Sequence, residues 1–410
     1  MSIKVVNVYF HTQSQKLKVG RLALKDRQIY FEYDGDFLKT GIELSPYRLP
    51  LGAGVKVCDD RVFDGLFGVF ADSLPDGWGK LLIDRYLMSQ GVNFAQISPL
   101  DRLMMIGEFG TGALSYEPLI ESVSAKETIN LDELAISSQE ILKGVSAKNI
   151  ETLIANNGSS AGARPKIMVQ INKDAQLLPS SQSLVDGCEH YMVKFAGSAD
   201  SPHIGKLEYI YSLMAKDAGV HISHTKLLQG EKNSYFAIKR FDRKGDERVH
   251  VHSLAGLVHS DFRLPSVDYD DILKLTLHLT KDMSEVLKVY KLAVFNLLTH
   301  NRDDHAKNFS YLLDENNNWR FAPAYDLTFS FGPGGEHSTT YLGEGKKPNK
   351  KHLEELAKKH GIKEYKSIID EICSVVSNFK KYASDVQLMQ KYSDEIYAQI
   401  DKHRHWVEKT

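Results

Sequence analysis

Asp303, Asn308 and Asp326 are the residues of this chain with the most chemistry to offer. Phosphoryl transfer asks little covalent work of a protein. It needs an acceptor hydroxyl held in line, the phosphates cradled, and their charge neutralised by Mg²⁺ and cations. A carboxylate at Asp303 can orient a hydroxyl and take its proton as transfer proceeds. Asn308 follows five residues later, the interval between acid and amide in a kinase catalytic loop, and its side-chain oxygen is a hard ligand suited to Mg²⁺. The order Asn301-Arg302-Asp303 keeps the Arg-Asp pair and displaces the leading His to His300. A polar loop with a helix cap would carry the same residues, and Asp326 alone reads as a turn residue. Set opposite Asn308 across a hairpin, Asp326 becomes a second Mg²⁺ ligand. Asp304 and His305 could support such a site, though a polar loop would also carry them by chance.

Three segments could serve a nucleotide. The small-residue run Gly158 to Lys166 precedes an apolar stretch, Ile167 to Ile171, and small residues let backbone N–H groups approach phosphate. No G-x-x-x-x-G-K-[ST] sequence occurs, so this is not a Walker loop, and a flexible surface loop is the competing reading. Lys194 ends the strand-like His190 to Phe195, where alternation sets it opposite Tyr191, Val193 and Phe195. A strand lysine usually snorkels to solvent. Glu208, on the following helix, would make it the Lys–Glu pair that reaches nucleotide phosphates in kinases, with a solvent-facing role for Glu208 as the alternative. Tyr235 to Arg243 is a strand running into a charged turn, and Phe241 is either an adenine lid or an ordinary core aromatic. Two further features have plainer readings. His250-Val251-His252 could chelate a metal, but alternating histidines on a strand more often face solvent and no third ligand is evident; Lys346 to Lys351 is a basic loop that could meet an acidic partner or DNA phosphate.

The elements that must position these residues are legible in outline. Val5 to Phe10 and Gln28 to Tyr33 read as strands, the second ended by an Asp34-Gly35 turn. A Gly-rich stretch from Phe63 to Gly79 leads into a helix at Leu81 to Leu87. The polar segment from Glu117 to Lys126 reads as a linker, and Leu131 to Lys143 as a helix. Leu207, Ile210, Tyr211, Met214, Ala215 and Ala218 form one apolar helical stripe, stopped at Gly219. Val286, Leu287, Tyr290, Val294, Leu297 and Leu298 form another, starting at Ser284-Glu285. Lys307 to Asp314 and Trp319 to Ala324 flank a hairpin signature, and Lys351 to Trp406 is helical with a break at Gly361.

The expected fold is α+β and two-lobed, like a protein kinase. Residues 1–118 form a β-rich amino-terminal subdomain, 119–245 a lobe with the phosphate loop, sheet and helix, and 246–410 a helical lobe with the catalytic and Mg²⁺-binding loops. A chain of 410 residues with 42% hydrophobic and 25% charged residues can bury a sizeable core. A net charge of −2 argues against binding nucleic acid through bulk positive charge. Three scattered cysteines, no leader pattern and no membrane-length apolar run point to the cytoplasm.

The ordered set Gly158 to Lys166, Met192-Val193-Lys194-Phe195, Lys239-Arg240-Phe241-Asp242-Arg243, Asp303 to Ser310 and Ala324-Tyr325-Asp326 resembles the HipA family of serine/threonine kinase toxins from bacterial toxin–antitoxin modules. Leu74-Pro75-Asp76-Gly77-Trp78-Gly79 is similar to that family's first subdomain. The resemblance implies a Mg-ATP-dependent protein kinase with Asp303 as catalytic acid/base and Asn308 and Asp326 holding Mg²⁺. The nucleotide set is then Ser160, Ala161, Gly162, Ala163, Lys166, Lys194, Lys239, Phe241, His305 and Lys307, with Glu208 supporting. Lys239 stands where some relatives carry an acid, so backbone contacts to adenine are expected there. The resemblance further implies autophosphorylation of a loop serine, Ser159 or its rival Ser160, which ejects the loop and shuts off activity. It implies a HipB-like helix-turn-helix antitoxin that makes most of the operator DNA contact, and a protein substrate such as an aminoacyl-tRNA synthetase. A small-molecule kinase of similar fold and a catalytically silent, antitoxin-bound corepressor are the alternatives.

Overall fold

The computed structural model describes residues 4–93, 97–119, 129–145, 147–159, 162–180 and 183–409. Ser160, Ala161 and most of the expected 117–126 linker lie outside the described residues. The fold is α+β, with antiparallel sheets in the first half and helices dominating the last third. The chain divides into two compact units that exchange segments along the sequence. One comprises Met1–Pro202, Leu228–His259 and Leu312–Asn317, and the other His203–Leu227, Ser260–Tyr311 and Asn318–Thr410.

The first unit holds a five-stranded sheet and four full strands of a second. In the first the order is β4-β3-β2-β1-β5, with β1 Lys4–His11, β2 Lys16–Lys25, β3 Gln28–Tyr33, β4 Val55–Val57 and β5 Leu114–Glu117. Period-two alternation turns Val6, Val8 and Phe10 of β1 and Ile29, Phe31 and Tyr33 of β3 inward. Phe31 packs against Tyr33, Phe67 and Phe70, and burying such a ring contributes about 1.5–3 kcal/mol. β5 went unread in the sequence because only Leu114-Ser115-Tyr116 carries its alternation. Asp34-Gly35 does not simply turn the chain: the Asp34 side chain caps a short helix, Gly35–Leu38.

The second sheet has the order β7-β6-β8-β10-β9, with β6 Lys166–Ile171, β7 Leu177–Pro179, β8 Glu189–Lys194, β9 Thr225–Gln229 and β10 Ser234–Lys239. Ile167, Val169, Ile171, Tyr191, Val193 and Ala237 share one face. They pack with Leu131, Leu134 and Ile141 of helix Leu131–Leu142 and with Trp78 and Leu82 of helix Gly77–Ser89. The helix from the amino-terminal third therefore closes the same core as this sheet.

The His250 and His252 side chains correct the solvent-facing expectation, for they are 2% and 0% exposed. Distant partners offset the cost of burying them. His250 Nε2 lies 3.0 Å from the Leu44 carbonyl, while His252 sits between Ser45 Oγ at 3.0 Å and Asp72 Oδ2 at 2.6 Å. Ser45, His252 and Asp72 have the connectivity of a hydrolytic triad. Ser45 is 1% exposed, so no substrate reaches it and the trio is structural.

In the second unit the helix Met283–Leu298 is buried on nearly every side, as expected of a central helix. The Asp282 side chain caps it, one turn position ahead of the expected Ser284-Glu285 start. Helix Tyr269–Thr280 packs on it, as do Tyr365–Ser377 and Gln390–Lys409. All six residues of the Leu207 to Ala218 stripe are buried, and Gly219 stops that helix with a φ of +66°. No helix among the described residues is long and apolar enough to cross a membrane.

Candidate active site

The candidate catalytic loop begins where the central helix ends. His300 takes a left-handed φ of +59°, its N–H donates to Leu297 O at 3.4 Å, and Asn301 N donates to Asn296 O at 3.0 Å. These are the two bonds of a Schellman ending, which turns the chain sharply out of the helix. The loop that follows is then pinned through Asp304. Its carboxylate is 1% exposed and accepts from Tyr269 Oη at 2.9 Å, His337 Nδ1 at 3.0 Å, Ser338 N at 2.9 Å and Thr339 N at 3.2 Å. Asn296 Nδ2 donates to the same Tyr269 oxygen at 2.9 Å, and Asn301 Nδ2 donates to Asn296 Oδ1 at 3.0 Å. One buried polar chain thus runs from the helix end to Asp304, with every link a hydrogen bond.

The neighbouring Asp303 is left half-exposed, which suits a group that must reach a substrate. Its carbonyl accepts Asn308 Nδ2 at 2.7 Å. That bond fixes which atom of the amide is which, and it leaves Oδ1 to act as an acceptor or metal ligand. The expected strand from Lys307 begins at Ser310 instead, because Ala306–Asn308 forms a 3₁₀ turn closed by Asn308 N to His305 O at 2.8 Å. Tyr325 then joins the two halves of the motif. Its hydroxyl donates to Lys307 O at 2.6 Å and lies 2.6 Å from Ser310 Oγ, while Ala322 N donates to Ser310 O at 2.9 Å. Asp326, next in sequence, is half-exposed with a left-handed φ of +57°. Two hydrogen bonds order these segments: Asn308 Nδ2 to the Asp303 backbone carbonyl, and the Tyr325 hydroxyl to the Lys307 backbone carbonyl, which ties the residue before Asp326 to the loop. A carboxylate and an oriented amide oxygen are oxygen donors of the kind Mg²⁺ takes. The Lys307 ammonium lies 4.4 Å from the Phe262 ring centre and the His305 ring lies 5.6 Å from it, so Phe262 steadies both.

Lys166 and Lys194 lie on the sheet face opposite its core. Lys166 of β6 pairs directly with Lys194 of β8, and Lys194 with Phe236 of β10. Directly paired residues share a face, so the two lysines, 3% and 6% exposed, project from the same side of the sheet, as an anionic ligand would require. The Lys166 ammonium also lies under the loop, 2.7 Å from where a side chain at Gly162 would begin. Ser159 is 2% exposed, and its hydroxyl accepts Thr111 N at 2.6 Å. Gly110 and Gly112 on either side of Thr111 are held by arginines: Arg243 Nη2 to Gly110 O at 2.9 Å and Arg248 Nε to Gly112 O at 2.9 Å. Asp242 accepts Gly112 N at 2.9 Å. Burial opposes its ionisation, but the Arg240 and Arg243 guanidiniums hold its carboxyl well below the usual range.

The Lys239 to Arg243 motif thus acts largely through Arg240, Asp242 and Arg243. The Lys239 ammonium is ion-paired with Glu189 on the face opposite Lys166 and Lys194. Phe241 is half-buried. Arg164 leaves the loop through a two-pronged bond to Asp200, at 2.7 and 3.0 Å. Glu208 is 1% exposed in helix Ile204–Asp217 of the second unit, so its solvent-facing alternative does not hold. Sequence reasoning offered Asp304 only as a possible support and missed His337, Tyr269 and Asn296. Their one visible signal is the doubled acid at 303 and 304.

Cys58, Asp60 and His259 in the first unit have ligand atoms within 4.8 Å of one another. His259 Nε2 already accepts Gly68 N at 2.9 Å and Nδ1 is bonded to Asp60, while burial pushes the Cys58 thiol up to about 11. Both imidazole nitrogens are committed, and the trio is a structural knot.

The model of the HipA-like C-terminal domain matches residues 158–379, and that of the HipA N-terminal domain matches residues 8–117. The chain is 25% identical over 342 residues to the serine/threonine-protein kinase toxin HipA of Shewanella oneidensis, covering 76% of this chain and 72% of that one. It is 25% identical over 184 residues to a putative kinase of Haemophilus influenzae, covering 41% of this chain and 52% of that protein. The Shewanella oneidensis HipA solved with HipB and its operator DNA has the same fold, with a TM-score of 0.70 at 17% identity over 98% of each chain.

Proposed function

Because this chain belongs to the HipA family, we propose that it is a Mg-ATP-dependent protein serine/threonine kinase and the toxin of a HipA–HipB-like module. The observation that supports the reading is the loop in which Asn308 Nδ2 bonds the Asp303 carbonyl and the Tyr325 hydroxyl, next to Asp326, bonds the Lys307 carbonyl. In this mechanism Asp303 orients a substrate hydroxyl and accepts its proton while the oxygen bonds to the γ-phosphorus. The bond from that phosphorus to ADP breaks, leaving a phosphoester and ADP. Asn308 Oδ1 and the Asp326 carboxylate hold Mg²⁺, which when bound neutralises phosphate charge. Lys166 and Lys194 draw the phosphates to the loop, together with Gly162 and Ala163. His305, Lys307 and the Lys239 to Phe241 backbone complete the nucleotide set, and Glu208 supports it.

Ser159 is the proposed autophosphorylation site, with Ser160 as its rival. The Ser159 hydroxyl is buried against Thr111, so it must leave that position to receive a phosphate. The added charge of about −2 then keeps the loop from returning over the nucleotide's own phosphates. A HipB-like helix-turn-helix antitoxin is the proposed partner, supported by the HipB and operator DNA solved with the Shewanella protein. With a net charge of −2, this chain leaves most operator contact to that antitoxin. The proposed substrate is a translation component such as an aminoacyl-tRNA synthetase, met in the cytoplasm.

The test is the melting temperature and intact mass of the purified chain with Mg-ATP. Mg-ATP is expected to stabilise the wild type and not Asp326→Ala, and the wild type is expected to gain phosphate at Ser159 or Ser160. No stabilisation and no mass gain by the chain or by proteins of a cell extract would overturn the reading.

A further inference from the structure

The loop after Gly158 is tied at its far flank to Leu74-Pro75-Asp76-Gly77-Trp78-Gly79, a motif the proposed mechanism has not yet used. Asp76 stands at the cap of helix Gly77–Ser89, where a carboxylate ordinarily accepts N–H groups of its own first turn. It makes no capping bond. Its Oδ1 accepts the N–H of Gly162 instead, and Trp78 N donates back to Gly162 O at 3.0 Å. Both backbone polar groups of Gly162 are thereby engaged by one short segment. The bond to the loop is thus made at the expense of the helix cap.

The close approach depends on glycine. At Gly77, with a φ of +41°, a Cβ would lie 2.7 Å from Gly162 O and 3.0 Å from Ala163 Cα. At Gly79 it would lie 2.5 Å from Pro75 Cβ and 2.8 Å from Asn157 Nδ2, where the loop begins. The mount is rigid, because the Trp78 ring is 1% exposed in the core shared with Ile167 and Val193. Gly162 in turn has a φ of +105° and stands over the Lys166 ammonium.

We propose that this motif is a latch on the phosphate loop, and that Asp76 is a positioning residue for ATP acting through Gly162. The inference rests on reading the loop as phosphate-binding. With the latch closed, the loop's curvature at Gly162 is set before nucleotide arrives, and less ordering remains to be done on binding. Asp76 touches neither the hydroxyl nor the transferred phosphate, so its loss weakens binding and leaves chemistry at saturation intact.

The experiment compares wild type, Asp76→Ala and Asp76→Asn in two measurements. The first is hydrogen exchange at the Gly162 and Trp78 amides of the nucleotide-free protein, and the second is the kinetics of phosphate transfer from Mg-ATP. Asp76→Ala is expected to speed both amides by at least about tenfold and raise KM for ATP by about tenfold, with kcat within about twofold of wild type. Asp76→Asn keeps an acceptor oxygen and is expected to fall between the two. Unchanged exchange at Gly162 in Asp76→Ala overturns the latch. So does accelerated exchange with an unchanged KM, or a joint loss of kcat and melting temperature, which marks a role in folding alone. If the wild type transfers no phosphate, the proposed function fails, and the exchange measurement still decides the latch.

Discussion

Asp303 and Asp304 are neighbours of the same type, and their removal should have opposite consequences. Asp304→Ala takes one acceptor carboxylate from four donors: the Tyr269 hydroxyl, His337 Nδ1 and the backbone N–H groups of Ser338 and Thr339. A hydrogen bond to a charged acceptor contributes about 1.5–3 kcal/mol, and bonds within one network do not add independently. Breaking a buried charged network by removing one member typically costs about 3–5 kcal/mol. A folded domain has only about 5–15 kcal/mol in hand. At about 2–4 °C per kcal/mol, the Asp304→Ala melting temperature should fall by on the order of 10 °C. The Thr339 hydroxyl bond to the Asp304 carbonyl, at 2.5 Å, survives the change and limits the damage to the side-chain network. Asp303 is half-exposed, so Asp303→Ala should shift stability by less than about 0.5 kcal/mol. It should lower the rate of phosphate transfer by about 10²–10⁴. Thermal unfolding and transfer rates at a temperature where all three proteins are folded measure both. An Asp304→Ala protein that melts with the wild type, or an Asp303→Ala protein equally destabilised, refutes the division of labour.

Three further outcomes follow from the same geometry. Lys194→Met should retain a cooperative fold and lose stabilisation by Mg-ATP, since it removes one of the two directly paired ammonium groups; a calorimetric scan with and without nucleotide checks this. Ser159→Ala should keep transferring phosphate to other proteins for longer than wild type, read as a progress curve that no longer bends over; an identical curve with the phosphosite mapped elsewhere removes Ser159 from the scheme. Burial, with Arg302 nearby, pushes the His300 imidazole down to about 4, and burial, with His300 beside it, pushes His403 down to about 3. An unfolded histidine titrates near 6.5, so between about 4 and 6.5 the unfolded chain binds more protons and stability rises with pH. The second unit should therefore hold its full stability above about pH 6.5 and lose it progressively towards pH 4. The urea midpoint should drop between pH 7.5 and 5, and His403→Phe should flatten that drop.

The parts legible in the sequence are those whose signal is local. The Leu207 to Ala218 stripe needed only helical period, and the Lys194 side of its strand only alternation. The candidate set Asp303, Asn308 and Asp326 stands out in the sequence because the interval from Asp303 to Asn308 is short and the hairpin carrying Asp326 follows at once. What escaped depends on partners far along the chain. His252 reads as exposed until Ser45 and Asp72, 207 and 180 residues away, are brought against it. Asp304 cannot be told from Asp303 without His337 and Tyr269. Asp76 carries no role in the sequence beyond its place in a Gly-rich stretch until Gly162, 86 residues on, takes its carboxylate.

The central claim is that Asp303 directs the γ-phosphate of ATP to a protein hydroxyl. The most direct test incubates wild type and Asp303→Asn, matched for folding, with γ-labelled Mg-ATP and a cell extract, and then separates protein from small molecules. Label in protein bands with the wild type, and none with Asp303→Asn, is the predicted result. Label recovered in a small metabolite, or equal labelling by both proteins, contradicts it.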